Sequence, residues 1–319
     1  MSDFEFINGY AAPGPAHRGC VATLGSFDGM HLGHQAILQR LVAKGQALNL
    51  PVTVILFEPQ PAEFFNPQQA PARLMRLREK VEALQRIGVN RVLCLRFNAA
   101  LCRWSAAEFV QQILVDRLGV KHLEVGDDFR FGRGREGDFN FLTQAAGQWG
   151  FSLANSDTFC ASAERVSSTR IRNLLAQDNL LEAAALLGRP YTMMGRVMYG
   201  RQLARTLGAP TANIAIGRYR SPLLGVFAVR VWGAFGECHA VANLGVKPTV
   251  TAGHISRVKP LLEVHLLDFS QNLYGQCVRV EFCCKLRGEQ KFASLDALKA
   301  QIALDIQNAR DHFQNLNKA

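Results

Sequence analysis

The stretch from Cys20 to Leu48 constrains the fold more than any other part of this 319-residue chain. CVATL (Cys20 to Leu24) is a short apolar run ended by Gly25, as a buried strand is, and from Leu32 the apolar residues Ile37, Leu38, Leu41, Val42 and Leu48 recur at helical spacing. GSFDGMHLGH, Gly25 to His34, therefore spans a strand-to-helix turn, whose backbone N–H groups point at whatever anion binds there. His31 and His34 open that helix three residues apart and share one face. Two imidazoles so placed can hydrogen-bond phosphate oxygens and stabilise charge on a nucleotide's α-phosphate. A bare pair of this kind also fits two solvated surface residues, so the surrounding sequence has to decide.

The alternation of strand and helix continues to about residue 188. PVTVILF (Pro51 to Phe57) reads as a strand, and Leu74, Leu77, Val81, Leu84 and Ile87 mark an amphipathic helix ended by Gly88. RVLCLRF (Arg91 to Phe97) is a further apolar strand. Ser105 with Glu108 forms a capping box for a helix carrying Phe109, Val110, Ile113, Leu114 and Leu118, and Gly119 stops it. HLEVG (His122 to Gly126) follows as a strand. This order implies a doubly wound parallel sheet that binds ligands at the carboxyl ends of its strands, where GSFDG, FEPQP and GDDFRFG fall.

Two short helices, SSTRIRNLLAQ and NLLEAAALLG, precede Pro190, and the pattern then changes. GVFAVRV, HAVANLG, LLEVHLL and CVRVEFCCKL are glycine-punctuated and β-branched with no helix between them, which indicates an antiparallel barrel or sandwich. One long helix closes the chain, capped by Ser294, with Leu295, Leu298, Ile302, Ile306, Ala309 and Phe313 as its core face. The fold class is α/β followed by β, with domains at 1–188 and 189–319.

Composition excludes several classes. With 48% hydrophobic and 19% charged residues the chain is globular, not disordered. No apolar run approaches the roughly 20 residues that span a bilayer. MSDFEFINGY carries acids where a signal peptide has basic residues, so a cytoplasmic location and no membrane partner are expected. The eight cysteines form no CxxC pair and read as buried free thiols. A net charge of +10 suits nucleic acid or polyphosphate alike, but the basic residues are dispersed and carry no nucleic-acid-binding signature, so no nucleic-acid partner is expected.

Gly25, Phe27, Asp28, Gly29, His31, Gly33 and His34 resemble the GxFDGxHxGH signature of the HxGH nucleotidyltransferases. The resemblance implies transfer of a nucleotidyl group from a triphosphate to an acceptor phosphate, with Gly25, Ser26, Phe27, Asp28, Gly29, His31 and His34 at the ATP. SSTRIR (Ser167 to Arg172) reads by itself as a capped helix start that favours an anion. It matches the STxIR motif of the same superfamily, which implies that Ser168, Thr169 and Arg172 contact the triphosphate. GDDFRFGRGREGD is similar to the GxDFxFG element of the bacterial bifunctional riboflavin kinase/FAD synthetases, placing Asp128 and Phe129 at the flavin nucleotide, while Arg133 and Arg135 fit a solvated loop. FEPQP resembles that branch's FxPHP turn with Gln60 in the histidine position; an amide still hydrogen-bonds a phosphate or ribose.

GRVMYGRQLARTLGAPTANI (Gly195 to Ile214) resembles the flavokinase motif GxVxxGxxxGRxLGFPTAN, with Ala204 and Ala209 replacing a glycine and a phenylalanine. The resemblance implies that Gly200, Arg205, Gly208, Pro210, Thr211 and Asn213 bind ATP, and that Thr211 and Asn213 hold Mg²⁺ through a hydroxyl and an amide oxygen suited to a hard cation. LEVHLLDFSQNLYG resembles the family's ExHLLDFxxxLYG. In a strand Glu263 and His265 face away from Leu262, Val264 and Leu266; Glu263 is either an ordinary wet-face residue or, by the resemblance, the general base for the riboflavin 5′-hydroxyl.

The resemblance covers nearly the whole chain and implies a bifunctional enzyme of flavin biosynthesis, with ATP, riboflavin and FMN as substrates, no bound redox flavin, and a monomeric or weakly homo-oligomeric state. Two rivals stand beside it: another HxGH adenylyl- or cytidylyltransferase with a regulatory β domain, and a flavin-binding module that has lost activity.

Overall fold

The computed structural model describes residues 4–9, 19–126, 128–156, 160–161, 164–198, 211–218, 220–247 and 259–316. The chain divides into two compact units: one takes residues up to Pro71 and Leu77–Ser167, the other Ala72–Arg76 and everything from Ser168.

The first unit is built on β1 (Glu5–Asn8), β2 (Cys20–Leu24), β3 (Val52–Glu58), β4 (Arg91–Arg96), β5 (Val120–Gly126) and β6 (Ser152–Ser156). They form one sheet in the order β1-β4-β3-β2-β5-β6, and every neighbouring pair is parallel. β2 is buried along its whole length, as a strand covered on both faces must be, which is why it reads as an unbroken apolar run. Strands β1 and β6 were not expected from the sequence, since EFIN and SLANS lack such a run.

The connecting helices are α1 (Leu32–Leu48), α2 (Pro61–Phe65), α3 (Leu77–Ile87), α4 (Ala106–Phe109) and α5 (Phe139–Trp149), followed by a small hairpin of β7 (Cys160–Ala161) and β8 (Glu164–Arg165). The capping box at α4 forms as expected: Ser105 Oγ accepts from the Glu108 N–H at 3.1 Å, and Glu108 Oε2 accepts from the Ser105 N–H at 2.7 Å. The helix then widens into π-type turns over Val110–Arg117, with the Leu118 N–H reaching back five residues to the Ile113 carbonyl, yet Val110, Ile113, Leu114 and Leu118 are all buried as their spacing implied.

From β2 the sheet grows outward through β3 and β4 to β1, and then β5 and β6 are added on the other side of β2. The strand order therefore reverses between β2 and β5. A crevice opens at the carboxyl ends of the strands at such a point, and GSFDG and GDDFRFG leave those two ends.

In the second unit, α6 (Ser168–Ala176) and α7 (Leu180–Leu187) precede β9 (Thr192–Met198), β10 (Ala212–Ala215), β11 (Gly225–Gly233), β12 (Gly236–Lys247), β13 (Lys259–Leu266) and β14 (Cys277–Arg287). These six strands close a barrel in the order β10-β13-β12-β11-β14-β9, which decides between barrel and sandwich. The barrel interior holds Ile214, Phe227, Val229, Ala242, Leu244, Leu262, Val264 and Phe282, none more than 2% exposed. Gly195 has a steric purpose: a Cβ there would come within 2.5 Å of Ile214 Cγ2 and 2.6 Å of the Ala215 carbonyl oxygen, so β9 and β10 could not approach.

The long helix α8 (Leu295–Leu316) packs Ala309 and Phe313 on Ala228 and Leu267, while Leu295, expected on the core face, is 66% exposed. Its anchor is polar: buried Asp305 receives Arg287 Nη2 at 2.8 Å and Gln301 Nε2 at 2.9 Å. Leu74 also departs from expectation, because α3 starts only at Leu77. Residues 72–76 are instead held through their main chain, with the Leu74 carbonyl accepting from Arg218 Nη2 at 2.9 Å and from the Tyr191 hydroxyl at 3.2 Å. Leu74 is fully buried there.

Candidate active sites

The turn after β2 is built under strain. Phe27 (φ 44°) and Met30 (φ 46°) take the left-handed backbone region that costs an L-residue about 1–2 kcal/mol each, and Gly29 (φ 88°) takes it freely. Both strained residues are buried, so packing of their side chains holds the backbone there. A Cβ on Gly25 would stand 3.3 Å from the Phe27 ring, which explains a glycine at the strand end.

The turn delivers the two histidines. His31 is the N-cap of α1, and its Nδ1 accepts from the His34 N–H at 3.3 Å, so in the neutral ring Nε2 carries the proton. The rings stack with centroids 3.6 Å apart, and the Phe27 ring lies 5.1 Å from His34 on a tilted plane. Burial, then the neighbouring His31 and Lys80 charges, hold the His34 pKa well below the ordinary 6.5, so His34 is neutral at pH 7. Its Nδ1 is buried with no hydrogen-bond partner among the described residues. A buried, unsatisfied ring nitrogen beside helix-start amides is a site prepared for a ligand atom. Asp28, 1% exposed, lies in the same turn.

On the neighbouring strand, Gln60 caps α2, with its N–H donating to Glu63 Oε2 at 3.0 Å and its side-chain Nε2 buried without a partner among the described residues. The sequence flagged Gln60 as a departure from a family pattern; Lys80, 2% exposed on α3, was missed, because a lysine in an amphipathic helix reads as solvated.

Beyond β5, Asp128 is exposed and paired with Arg165 at 3.0 Å, and Phe129 stacks on Phe131 at 5.5 Å. Asp138 caps α5, accepting from the Phe141 N–H at 2.8 Å. The Phe131 ring meets Phe109, which meets Phe57 and through it Phe97 and the Phe64–Phe65 pair of α2. An aromatic band thus runs across the carboxyl ends of β3, β4 and β5, with Phe65 68% exposed.

Helix α6 begins at Ser168, as SSTRIR implied, and lies in the second unit. Arg172 donates Nε to the Ala72 carbonyl at 2.6 Å, so its guanidinium is oriented by the 72–76 segment.

On the barrel, Asn213 of β10 pairs directly with Glu263 of β13, and Glu263 pairs with Asn243 of β12. The residues alternating with them, Ile214, Leu262, Val264, Ala242 and Leu244, fill the barrel, so the three polar side chains share its outer face and are half-buried. Thr211, just ahead of β10, is also half-buried. Gly200, Arg205, Gly208 and Pro210, with Ala204 and Ala209, lie outside the described residues.

Comparison with known proteins agrees with this division. The FAD synthetase family matches residues 14–170, and the riboflavin kinase family matches residues 187–313. The bifunctional riboflavin kinase/FMN adenylyltransferase of Escherichia coli (strain K12) is 51% identical over 297 residues, covering 92% of this chain and 93% of its own. The chain belongs to the bifunctional riboflavin kinase/FMN adenylyltransferase family. The Haemophilus influenzae member is 46% identical over 312 residues, covering 98% of this chain and all of its own. The fold is shared with a solved Streptococcus pneumoniae structure described as a macrolide-efflux protein, at a TM-score of 0.77 and 28% identity over 96% of this chain and 98% of that one. Among the described residues no helix is long and apolar enough to cross a membrane.

Membership of this family makes sense of the chemistry on both units. The stacked histidines lie inside the FAD synthetase match, and the Asn213–Glu263 pair lies inside the riboflavin kinase match.

Proposed function

We propose that this chain phosphorylates riboflavin to FMN with ATP and adenylylates FMN with a second ATP, giving FAD and pyrophosphate. The observation that carries the reading is the presence of two separate polar constellations on one chain, each within the family match whose chemistry it suits. We assign adenylylation to residues 1–188 and phosphorylation to 189–319, a division of function that cuts across the packing division at Ser168.

In adenylylation, an FMN phosphate oxygen attacks the α-phosphorus of ATP, and the bond to the bridging oxygen of pyrophosphate breaks. His31 and His34, stacked in the turn, donate N–H groups to the α-phosphate oxygens as charge builds there. Gly25 to Gly29 bring backbone N–H groups to the same nucleotide, Asp28 lines its site, and Ser168, Thr169 and Arg172 contact the triphosphate. Asp128, Phe129 and the adjoining aromatic band take the flavin, whose planar ring suits stacking on aromatic faces.

In phosphorylation, the riboflavin 5′-oxygen attacks the γ-phosphorus, the bond to the β-phosphate oxygen breaks, and ADP leaves. The Glu263 carboxylate takes the hydroxyl proton. The donor set around it fits a hard cation: a hydroxyl at Thr211 and an amide at Asn213, next to a carboxylate in register. Those two residues would hold Mg²⁺, which when bound neutralises phosphate charge. We place the enzyme in the cytoplasm with small molecules as its partners; Cys20, Cys94, Cys102, Cys238, Cys277, Cys283 and Cys284 are all free, as a reducing compartment permits.

One incubation tests the reading. Protein with riboflavin, ATP and Mg²⁺ should yield FMN and then FAD on chromatography, and FMN with ATP should yield FAD directly. FAD from FMN without FMN from riboflavin would overturn the kinase assignment alone; neither product would leave the two rivals, another HxGH transferase or a binding module.

A further inference from the structure

The row Asn213–Glu263–Asn243 crosses three adjacent strands of the barrel, and only the first two of its members have a role so far. Directly paired residues of an antiparallel ladder stand about 4.5–5.5 Å apart at Cα and present their side chains to one face. Asn243 therefore flanks Glu263 on the side opposite Asn213. Its half-burial matches theirs, while its chain neighbours Ala242 and Leu244 are fully buried in the barrel. The backbone is fixed here by the continuous β12–β13 ladder from Ala240–Leu266 to Lys247–Lys259, so the pairing cannot slip without turning Leu244 outward.

We infer that Asn243 is a positioning residue of the kinase site: its side-chain amide holds the Glu263 carboxylate in the orientation that proton abstraction requires. The inference rests on the assignment of Glu263 as the base. An Asn offers N–H donors without a charge, so it can fix a carboxylate without forming an ion pair with it. Asn213 is then released from that task and can present its amide oxygen to the cation. Other titratable groups share this face, among them His265 and Glu289. His265 lies two positions along β13, and Glu289 reaches the point where a side chain on Gly245, two positions along β12, would begin.

The test uses the full chain and measures kcat and KM of riboflavin phosphorylation for the parent, Asn243→Ala, Asn243→Asp and Glu263→Gln, with FAD formation from FMN as the reference for folding. Removing the N–H donor leaves the carboxylate misoriented, so kcat should fall while the KM for riboflavin and for ATP stay near the parent values, and Asn243→Asp, which keeps the size but offers no N–H donor, should not restore the rate. Phosphorylation by Asn243→Ala should fall by about 10²-fold, the scale for a misplaced reacting group, with FAD formation from FMN unchanged. A parent-like kcat in both Asn243 variants, or a loss confined to KM, with Glu263→Gln inactive, would overturn the role of Asn243 alone. Parent-like phosphorylation by Glu263→Gln would overturn the base assignment beneath it. Parallel loss of both activities in both Asn243 variants would show a purely structural residue and also overturn the inference.

Discussion

The His31 and His34 rings lie 3.6 Å apart between centroids and 17° from parallel, so neither can take up a proton without placing a charge against its neighbour. His34 has its pKa held well below 6.5, first by desolvation of the ring and then by the His31 and Lys80 charges. Unfolded, it binds a proton as pH falls through about 6.5, whereas folded it does not until much lower pH. The unfolded state thus holds more protons in that window, and stability falls as pH falls. Relative to His34→Gln, the parent should lose stability between about pH 6.5 and 5 in urea melts. A constant difference between the two across that range would show that His34 titrates normally.

Catalysis at the stack should be separable from the barrel. His31→Ala removes an N–H donor to the α-phosphate, so FAD formation from FMN should fall by about 10²-fold or more, the scale for one lost transition-state donor. Riboflavin phosphorylation by the same protein should continue at the parent rate. Equal loss of both in a folded variant contradicts two independent sites.

Glu263→Gln preserves size and a carbonyl acceptor at its place between Asn213 and Asn243 but removes the base. FMN production should fall by about 10² to 10⁴-fold, and FAD formation from supplied FMN should survive. A Gln variant that phosphorylates riboflavin normally makes Glu263 a wet-face residue.

The sequence exposed the parts of this fold where one physical signal dominates. The buried strand CVATL, the Ser105–Glu108 box and the glycine stops at Gly88, Gly119 and Gly188 are local in origin, and each occurs where its chemistry demands. What escaped depends on distant chain. EFIN becomes a strand only because it adds to β4, 86 residues away, with Glu5 pairing Arg91 and Asn8 pairing Cys94. Leu74 fits the stripe of α3 by spacing, yet Arg218 and Tyr191, more than 110 residues later, draw its carbonyl into the other unit. Asn243 carries no motif that the sequence reading used; only the register of β12 on β13 puts it beside Glu263.

The anchor of α8 should prove as important as its apolar face. Asp305 is buried and receives two nitrogens of Arg287, so Asp305→Ala leaves a largely buried guanidinium without its counter-charge. Removing one partner of such a pair costs about 3–5 kcal/mol. Thermal melts should show the loss, and the double variant Arg287→Met with Asp305→Leu should recover much of it, since no charge is then left unpaired. A single variant as stable as the parent would mean that water already screens the pair.

Arg172 and Arg170 carry the same charge two residues apart on α6, where positions two apart point about 200° from each other. Arg172 shares a face with Ser168 and Thr169 at the i+4 and i+3 spacings. Its Nε donates to the Ala72 carbonyl at 2.6 Å, which fixes the guanidinium plane. Arg172→Ala should therefore raise the ATP requirement of adenylylation or cut its rate by about 10²-fold or more, as loss of a charged phosphate contact does. Arg172→Lys should recover little, because a lysine cannot hold the carbonyl and a phosphate in one plane. Arg170→Ala should stay within a few-fold of the parent. FAD formation from FMN, followed against ATP concentration, separates the outcomes: comparable damage at both positions indicates general attraction by a basic helix, and a larger loss at Arg170 places the triphosphate on the opposite face of α6.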